Sequence, residues 1–266
     1  MSLLSEFALG RYYATDSPVH ALDPRVKMVG ALGVLGCAIA TQDAAAYLFL
    51  TAAIAAVATA ARLRPAFLLR NLASLRWLVV IVFAVHGFFT PGTPVFEALP
   101  RFTREGAALG GIFAWRIALM VSSATVLTAT TSPVELGDGL ERLLGPLGRV
   151  GVPVHEIAMI SVIALRFVPT LMDETTRIIK AQIGRGASFD GGLVARAKSA
   201  VPIVVPLFAS ALHRADDLAL AMDARCYRGA AGRTRYIELR LGGRDAVGLA
   251  AVALIVLCTI VISSSR

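Results

Sequence analysis

Lys180-Ala181-Gln182-Ile183-Gly184-Arg185-Gly186 and Arg214-Ala215-Asp216-Asp217-Leu218-Ala219-Leu220-Ala221-Met222-Asp223-Ala224-Arg225-Cys226 close two long helical segments in the same manner. Each places an arginine in the last turn between small neighbours: Gly184 and Gly186 around Arg185, Ala224 and Cys226 around Arg225. The first segment starts near Pro153 and runs towards Gly186, about 34 residues or ~50 Å at helical rise. Ile157, Ile160, Ala164, Phe167, Leu171 and Ile178 recur on it close to the helical period. Pro169 is expected to kink it. The second covers roughly Leu193 to Cys226, with Val204, Phe208, Leu212, Ala215, Ala219 and Met222 on one face and Pro202 and Pro206 disturbing its start.

Hydropathy alone would read Ile157–Met172 and Ala200–Leu212 as membrane spans. Both are shorter than a usual span. Crossing as a hairpin, they would also leave Arg177, Lys180, Arg185, Arg196 and Lys198 in a short external loop, against the cation bias of membrane proteins. The sequence therefore predicts two long amphipathic helices that leave the membrane and cross in or below the cytoplasmic interface. Their apolar stripes are expected to pack together, with Ala215, Ala219 and Ala221 allowing close approach.

The surrounding chain is the mount. It is 56% hydrophobic and 17% charged, with mean hydropathy +0.70. A soluble domain of 266 residues cannot hide that much apolar surface, so the fold class is an all-α polytopic membrane protein. Five spans are expected: Lys27–Ala40, Ala44–Ala61, Trp77–Thr90, Ala107–Thr131 and Ala246–Ile262. The chain divides into residues 1–131 with an N-terminal elbow and four spans, a cytoplasmic domain at 132–242, and a last span at 243–266. Asp16-Ser17-Pro18-Val19-His20 and Leu22-Asp23-Pro24-Arg25 read as the elbow at the membrane surface, or as a solvated tail. Residues 91–106, with Pro91, Gly92, Pro94 and Pro100, read as a loop. Ser132-Pro133-Val134-Glu135 reads as a capping box opening a short amphipathic helix.

Cations orient these spans. Arg11, Arg25 and Lys27 precede the first, and Arg62, Arg64, Arg70 and Arg76 lie between the second and third. The other side holds none at 41–43 and two, Arg101 and Arg104, before the fourth. The N-terminus is therefore placed in the cytoplasm of a cell-membrane protein. Residues 132–242 carry 14 of the 26 Lys and Arg residues. The net charge of +8 flanks membrane segments, so a lipid bilayer and not nucleic acid is its partner. Met1–Tyr12 lacks the features of a cleavable signal peptide. Cys37, Cys226 and Cys258 have no CxxC spacing, so neither disulfides nor a metal site are expected.

Little in the spans supports chemistry. They hold His86 and Arg116 and no Asp or Glu, whereas an ion-coupled carrier usually needs intramembrane carboxylates. Both side chains are expected to satisfy neighbouring helices. No GxxxxGK loop, HExxH, GxSxG or paired span carboxylates occur, so no catalytic residues and no bound cofactor are expected. An arginine followed by Gly is also the ordinary way a helix stops. Two such tips on paired long helices, in a chain with no energy source of its own, instead suit docking. A guanidinium with small neighbours can enter a partner's groove and meet a carboxylate there.

Four long stretches carry a resemblance: Asp16 to Lys27, Thr130 to Leu136, Ala164 to Leu171, and Arg214 to Arg225. Through them the chain resembles the transmembrane T component (EcfT, CbiQ-like) of energy-coupling factor (ECF) transporters, over nearly its whole length. That family has two Ala-Arg-Gly motifs at its coupling-helix ends. Here Gly184 stands for Ala in the first, and Cys226 for Gly in the second. The resemblance implies that Arg185 and Arg225 dock into two ABC ATPase subunits, identical or different, and that ATP is bound on those partners. It implies that a separate membrane S component binds the substrate, a vitamin or a transition-metal ion. Lys180, Gln182, Arg214 and Asp217 would support the two coupling helices, with Asp216, Asp217 and Asp223 pairing along the helix with Arg214 and its neighbours. Cys226 would make the second tip less able to end in a left-handed cap. A secondary carrier and a non-motor scaffold are the alternatives.

Overall fold

The computed structural model describes residues 15–96, 99–187, 192–229 and 242–264. Arg11, counted above for orientation, lies outside them. Among the described residues there are nine α-helices, a 3-10 turn and one two-stranded hairpin. The helices are α1 (Pro24–Ala40), α2 (Ala44–Ala60), α3 (Pro65–Ser74), α4 (Arg76–Phe89), α5 (Arg104–Thr130), α6 (Pro133–Leu144), α7 (Val154–Gly184), α8 (Leu193–Ala224) and α9 (Gly243–Ser264). They form two compact units: α1–α6 with α9, and the 3-10 turn Gly145–Val150 with α7 and α8.

The first unit is built on α2. Ala46, Tyr47, Leu50, Ile54 and Ala58 recur at helical spacing on its buried face. Tyr47, Leu50, Ile54 and Ala58 join Cys37 and Ala38 of α1 and Leu119, Val126 and Ala129 of α5 in one core. The outward faces stay apolar, as Leu48, Leu32, Leu254 and Leu257 show, because their surroundings are lipid and not water. α4 and α5 approach closely where a Cβ on Gly106 would strike the His86 carbonyl and one on Gly110 would lie 3.0 Å from the Phe83 carbonyl.

Arg116 sits in this unit as a helix–helix connector. Its Nε donates to the Tyr47 hydroxyl at 3.1 Å and its Nη2 to the Thr41 carbonyl at 3.1 Å. The guanidinium also lies 4.8 Å from the Phe113 ring centroid. His86 satisfies Nδ1 within its own helix, at the Val82 carbonyl, and packs its ring on Phe113 of α5.

The elbow is a packed element and not a tail. Asp23 caps α1 by accepting from Arg25 N–H at 2.9 Å, and its own N–H donates to Asp245 Oδ1 at 2.7 Å. The Asp245 Oδ2 accepts from Gly242 N–H at 2.8 Å, so one carboxylate caps α9 and staples it to the start of α1. Lys27 Nζ donates to the carbonyls of His20 and Thr130. The capping box is formed: Ser132 N–H donates to Glu135 Oε2 at 3.0 Å, and Glu135 N–H to the Ser132 hydroxyl at 3.3 Å.

Among the described residues, α5, α7 and α9 are each long and apolar enough to cross on their own, with α3 and α4 a fourth if that pair crosses as one. At 17 residues each, α1 and α2 reach ~25 Å, so they need flanking residues to cross a ~30 Å hydrocarbon core. Two expectations are corrected. Residues 62–76 are not a plain connection. Pro65 opens α3 at a position where its missing N–H costs nothing, and α3 meets α4 at a 56° bend. The loop at 91–106 contains the antiparallel hairpin β1 (Pro94–Phe96) and β2 (Leu99–Thr103).

Candidate functional site

The two tips have one backbone geometry. In α7 the chain leaves the helix at Arg185 (φ −89°) and turns left-handed at Gly186 (φ +86°). Gly186 N–H donates to the Ile183 carbonyl and Ala187 N–H to the Gln182 carbonyl, both at 2.9 Å. In α8 the same positions are Arg225 (φ −91°) and Cys226 (φ +54°). Cys226 N–H donates to Asp223 at 2.9 Å and Tyr227 N–H to Met222 at 3.0 Å. Each is a Schellman motif, in which two crossed bonds close the last turn and satisfy carbonyls a bare helix end would leave open.

Two expectations change here. Each arginine occupies the capping position, one residue beyond the last helical turn. Cys226 does take the left-handed cap, because the two crossed hydrogen bonds hold a conformation that an isolated non-glycine residue disfavours. Both arginines are exposed, as are Gly184, Gly186, Ala224 and Cys226. Among the described residues, a Cβ built on Gly184 or Gly186 meets nothing within 4 Å, so the first tip is open on their side.

Behind the tips, α7 and α8 run antiparallel where they meet. Arg214 Nη2 donates to Glu174 Oε2 at 2.7 Å. Gln182 Nε2 donates to the Pro202 carbonyl at 3.4 Å. Advancing along α7 therefore moves backwards along α8. The second contact has a local cause: Pro206 has no N–H, so the Pro202 carbonyl loses its helical partner, and Gln182 occupies it. Both prolines lie inside an unbroken helix, as does Pro169 in α7.

The Glu174–Arg214 pair lies eleven residues before each tip, 174 to 185 and 214 to 225. Both arms are thus ~16 Å long at helical rise. Arg214 Nε also donates a long hydrogen bond to the Ser210 hydroxyl, at 3.4 Å. Sequence reading missed Glu174 and Ser210. It assigned Arg214 to Asp217 and its neighbours on the same helix, but Asp217 is exposed and Arg214 reaches across to α7. The equal spacing to the tips was the available signal. Lys180 is exposed on the last turns of α7 and has no part in this crossing.

The apolar stripes are not buried against each other. Ile157, Ile160, Val204, Phe208 and Leu212 are each more than half exposed. Ala215 and Ala219 are exposed too. Only Val154 and Ala158 of α7 are buried. Antiparallel helices held together by a polar crossing share a limited patch, and the stripes extend beyond it. The correction bears on α7 as well: it is long enough to span, because Pro169 does not end it.

Comparison with known proteins covers both tips. Residues 15–236 match the family described as cobalt transport protein, CbiQ. The energy-coupling factor transporter transmembrane protein EcfT of Thermanaerovibrio acidaminovorans is 44% identical over 255 residues, 94% of this chain and 93% of its own. The EcfT of Acidaminococcus fermentans is 43% identical over 258 residues, 96% of each chain. That of Heliobacterium modesticaldum is 46% identical over 247 residues, 91% of this chain and 92% of its own. With full-length similarity, an all-α membrane fold and both arginine tips inside the matched region, the chain belongs to the CbiQ family of energy-coupling factor transporter transmembrane proteins.

Proposed function

We propose that the chain couples ATP-driven motion to import: Arg185 and Arg225 dock into grooves on two ABC ATPase subunits, and α7 and α8 pass the movement to a separate membrane S component. That component would bind the substrate, a vitamin or a transition-metal ion. ATP is bound and hydrolysed by the partners, and the chain itself is non-catalytic. The observation that carries this is the repeated tip geometry, an exposed arginine on a Schellman cap at the end of each long helix.

A guanidinium held there presents a planar fork to a partner carboxylate, and the closed last turn keeps its base stiff. Equal arms on either side of Glu174–Arg214 let two ATPases act on one crossing. The exposed stripes of α7 and α8 offer the apolar surface against which a membrane partner would sit. The cation bias supports an orientation with the N-terminus and the tips in the cytoplasm of a cell-membrane protein.

The test is purification of the tagged chain from native membranes in mild detergent. ATPase chains are expected to co-purify, and to be lost from the Arg185→Glu/Arg225→Glu double variant while it still inserts. Recovery of the chain alone, with normal uptake by the variant, would sink the docking claim in favour of a carrier or scaffold.

A further inference from the structure

We infer that the first unit holds one glycerophospholipid, with an acyl chain in the cavity between α1, α2, α5 and α9 and its phosphate at Arg244. The cavity measures about 180 Å³ and its walls are almost wholly apolar, including Val34, Val57, Val126 and Val252. Its polar lining is Lys27, Ser123 and Thr130. The Lys27 ammonium already donates to the His20 and Thr130 carbonyls, and the Thr130 hydroxyl to the Val126 carbonyl. Beyond these bonds the lining leaves an ordered water only the third ammonium hydrogen and the Ser123 hydroxyl, the minimum of the two to four partners it needs. Hydrocarbon suits it, since an apolar cavity of ~150 Å³ takes up benzene and stays dry.

The cavity adjoins an open cleft, and Val19, Leu22, Gly248 and Ala251 line both. Arg244 lines the cleft and is exposed at the start of α9, where the apolar run begins. That is the level at which a bilayer presents its head groups. A guanidinium there meets a phosphate by charge-assisted, paired hydrogen bonds. Asp16 lines the same cleft and suits a head group that carries an amine. An apolar chamber that opens at a cationic rim has the shape of one phospholipid, acyl chain inside and phosphate outside.

The probe is phosphatidylethanolamine added to the full chain in mild detergent, read by native mass spectrometry. One lipid per chain is expected to remain as detergent is exchanged. Ala251 is exposed at the passage, so Ala251→Phe blocks the passage without repacking the core. Ala251→Phe and Arg244→Gln should each lower retention roughly tenfold. Ala250→Phe, on the same helix but lining neither space, should retain lipid as the parent does. Equal retention by Ala251→Phe and the parent, or equal loss from Ala250→Phe, would show only annular lipid and overturn the inference. On the unaltered chain, phosphatidylethanolamine should raise the thermal midpoint and inorganic phosphate should not. An equal rise with inorganic phosphate, or none with lipid, would also overturn it.

Discussion

Exchanging the left-handed residue between the two tips tests how they are held. Gly186 and Cys226 occupy equivalent positions at φ +86° and +54°. A side chain in this region costs about 1–2 kcal/mol relative to glycine, through contact of its Cβ with the backbone. Around Gly186 no described residue adds to that figure, since an added Cβ meets none of their atoms within 4 Å. Gly186→Ala should therefore weaken closure of the first tip by about 1 kcal/mol, and Cys226→Gly should strengthen the second by a similar amount. One kcal/mol is a ~5-fold change in the open fraction.

The reporters are the Ala187 and Tyr227 amides, which close the two motifs on Gln182 and Met222. Amide hydrogen exchange should quicken about fivefold at Ala187 in Gly186→Ala and slow about fivefold at Tyr227 in Cys226→Gly. Amides deep in α2 should not respond, because the opening is local. Unchanged exchange at Ala187, or faster exchange at Tyr227, would refute the assignment of Gly186 and Cys226 to one strained cap.

Three further outcomes follow from contacts distant in the chain. Glu174→Arg and Arg214→Glu should each reduce transport with insertion intact, and the double exchange should restore much of it; a double variant no better than either single one would remove the crossing from the coupling path. Tyr47 is fully buried, donates to the Ala38 and Thr41 carbonyls and accepts from Arg116, so Tyr47→Phe should cost about 1–3 kcal/mol, read as a lowered thermal midpoint in detergent. The N–H groups of Asp23 and Gly242 hold the Asp245 carboxyl below its ordinary value. Its contribution is therefore complete above the usual carboxylate pKa and is lost as pH falls through the lowered one. Proteolytic protection of residues 15–23 should hold from neutral pH into the mildly acid range and fail only in strong acid, whereas loss beginning near neutrality would contradict this.

Much of the site was legible because its determinants are local. A helix end is written in a few adjacent residues, so both arginine tips, the Ser132–Glu135 box and the limits of α7 and α8 could be read from the chain. The membrane class followed from composition alone, since lipid and not packing accepts the outward apolar faces. What could not be read pairs residues far apart. Gln182 meets Pro202 because Pro206 frees a carbonyl, Arg214 leaves its own helix for Glu174, and Asp245 staples the start of α9 to the start of α1. The exposure of Ile157, Ile160 and Phe208 is likewise invisible to periodicity, which identifies an apolar face without saying what covers it. Local sequence determines where helices start, stop and turn an apolar side; only the tertiary structure decides which side chains meet, because that depends on the relative placement of elements that no spacing encodes.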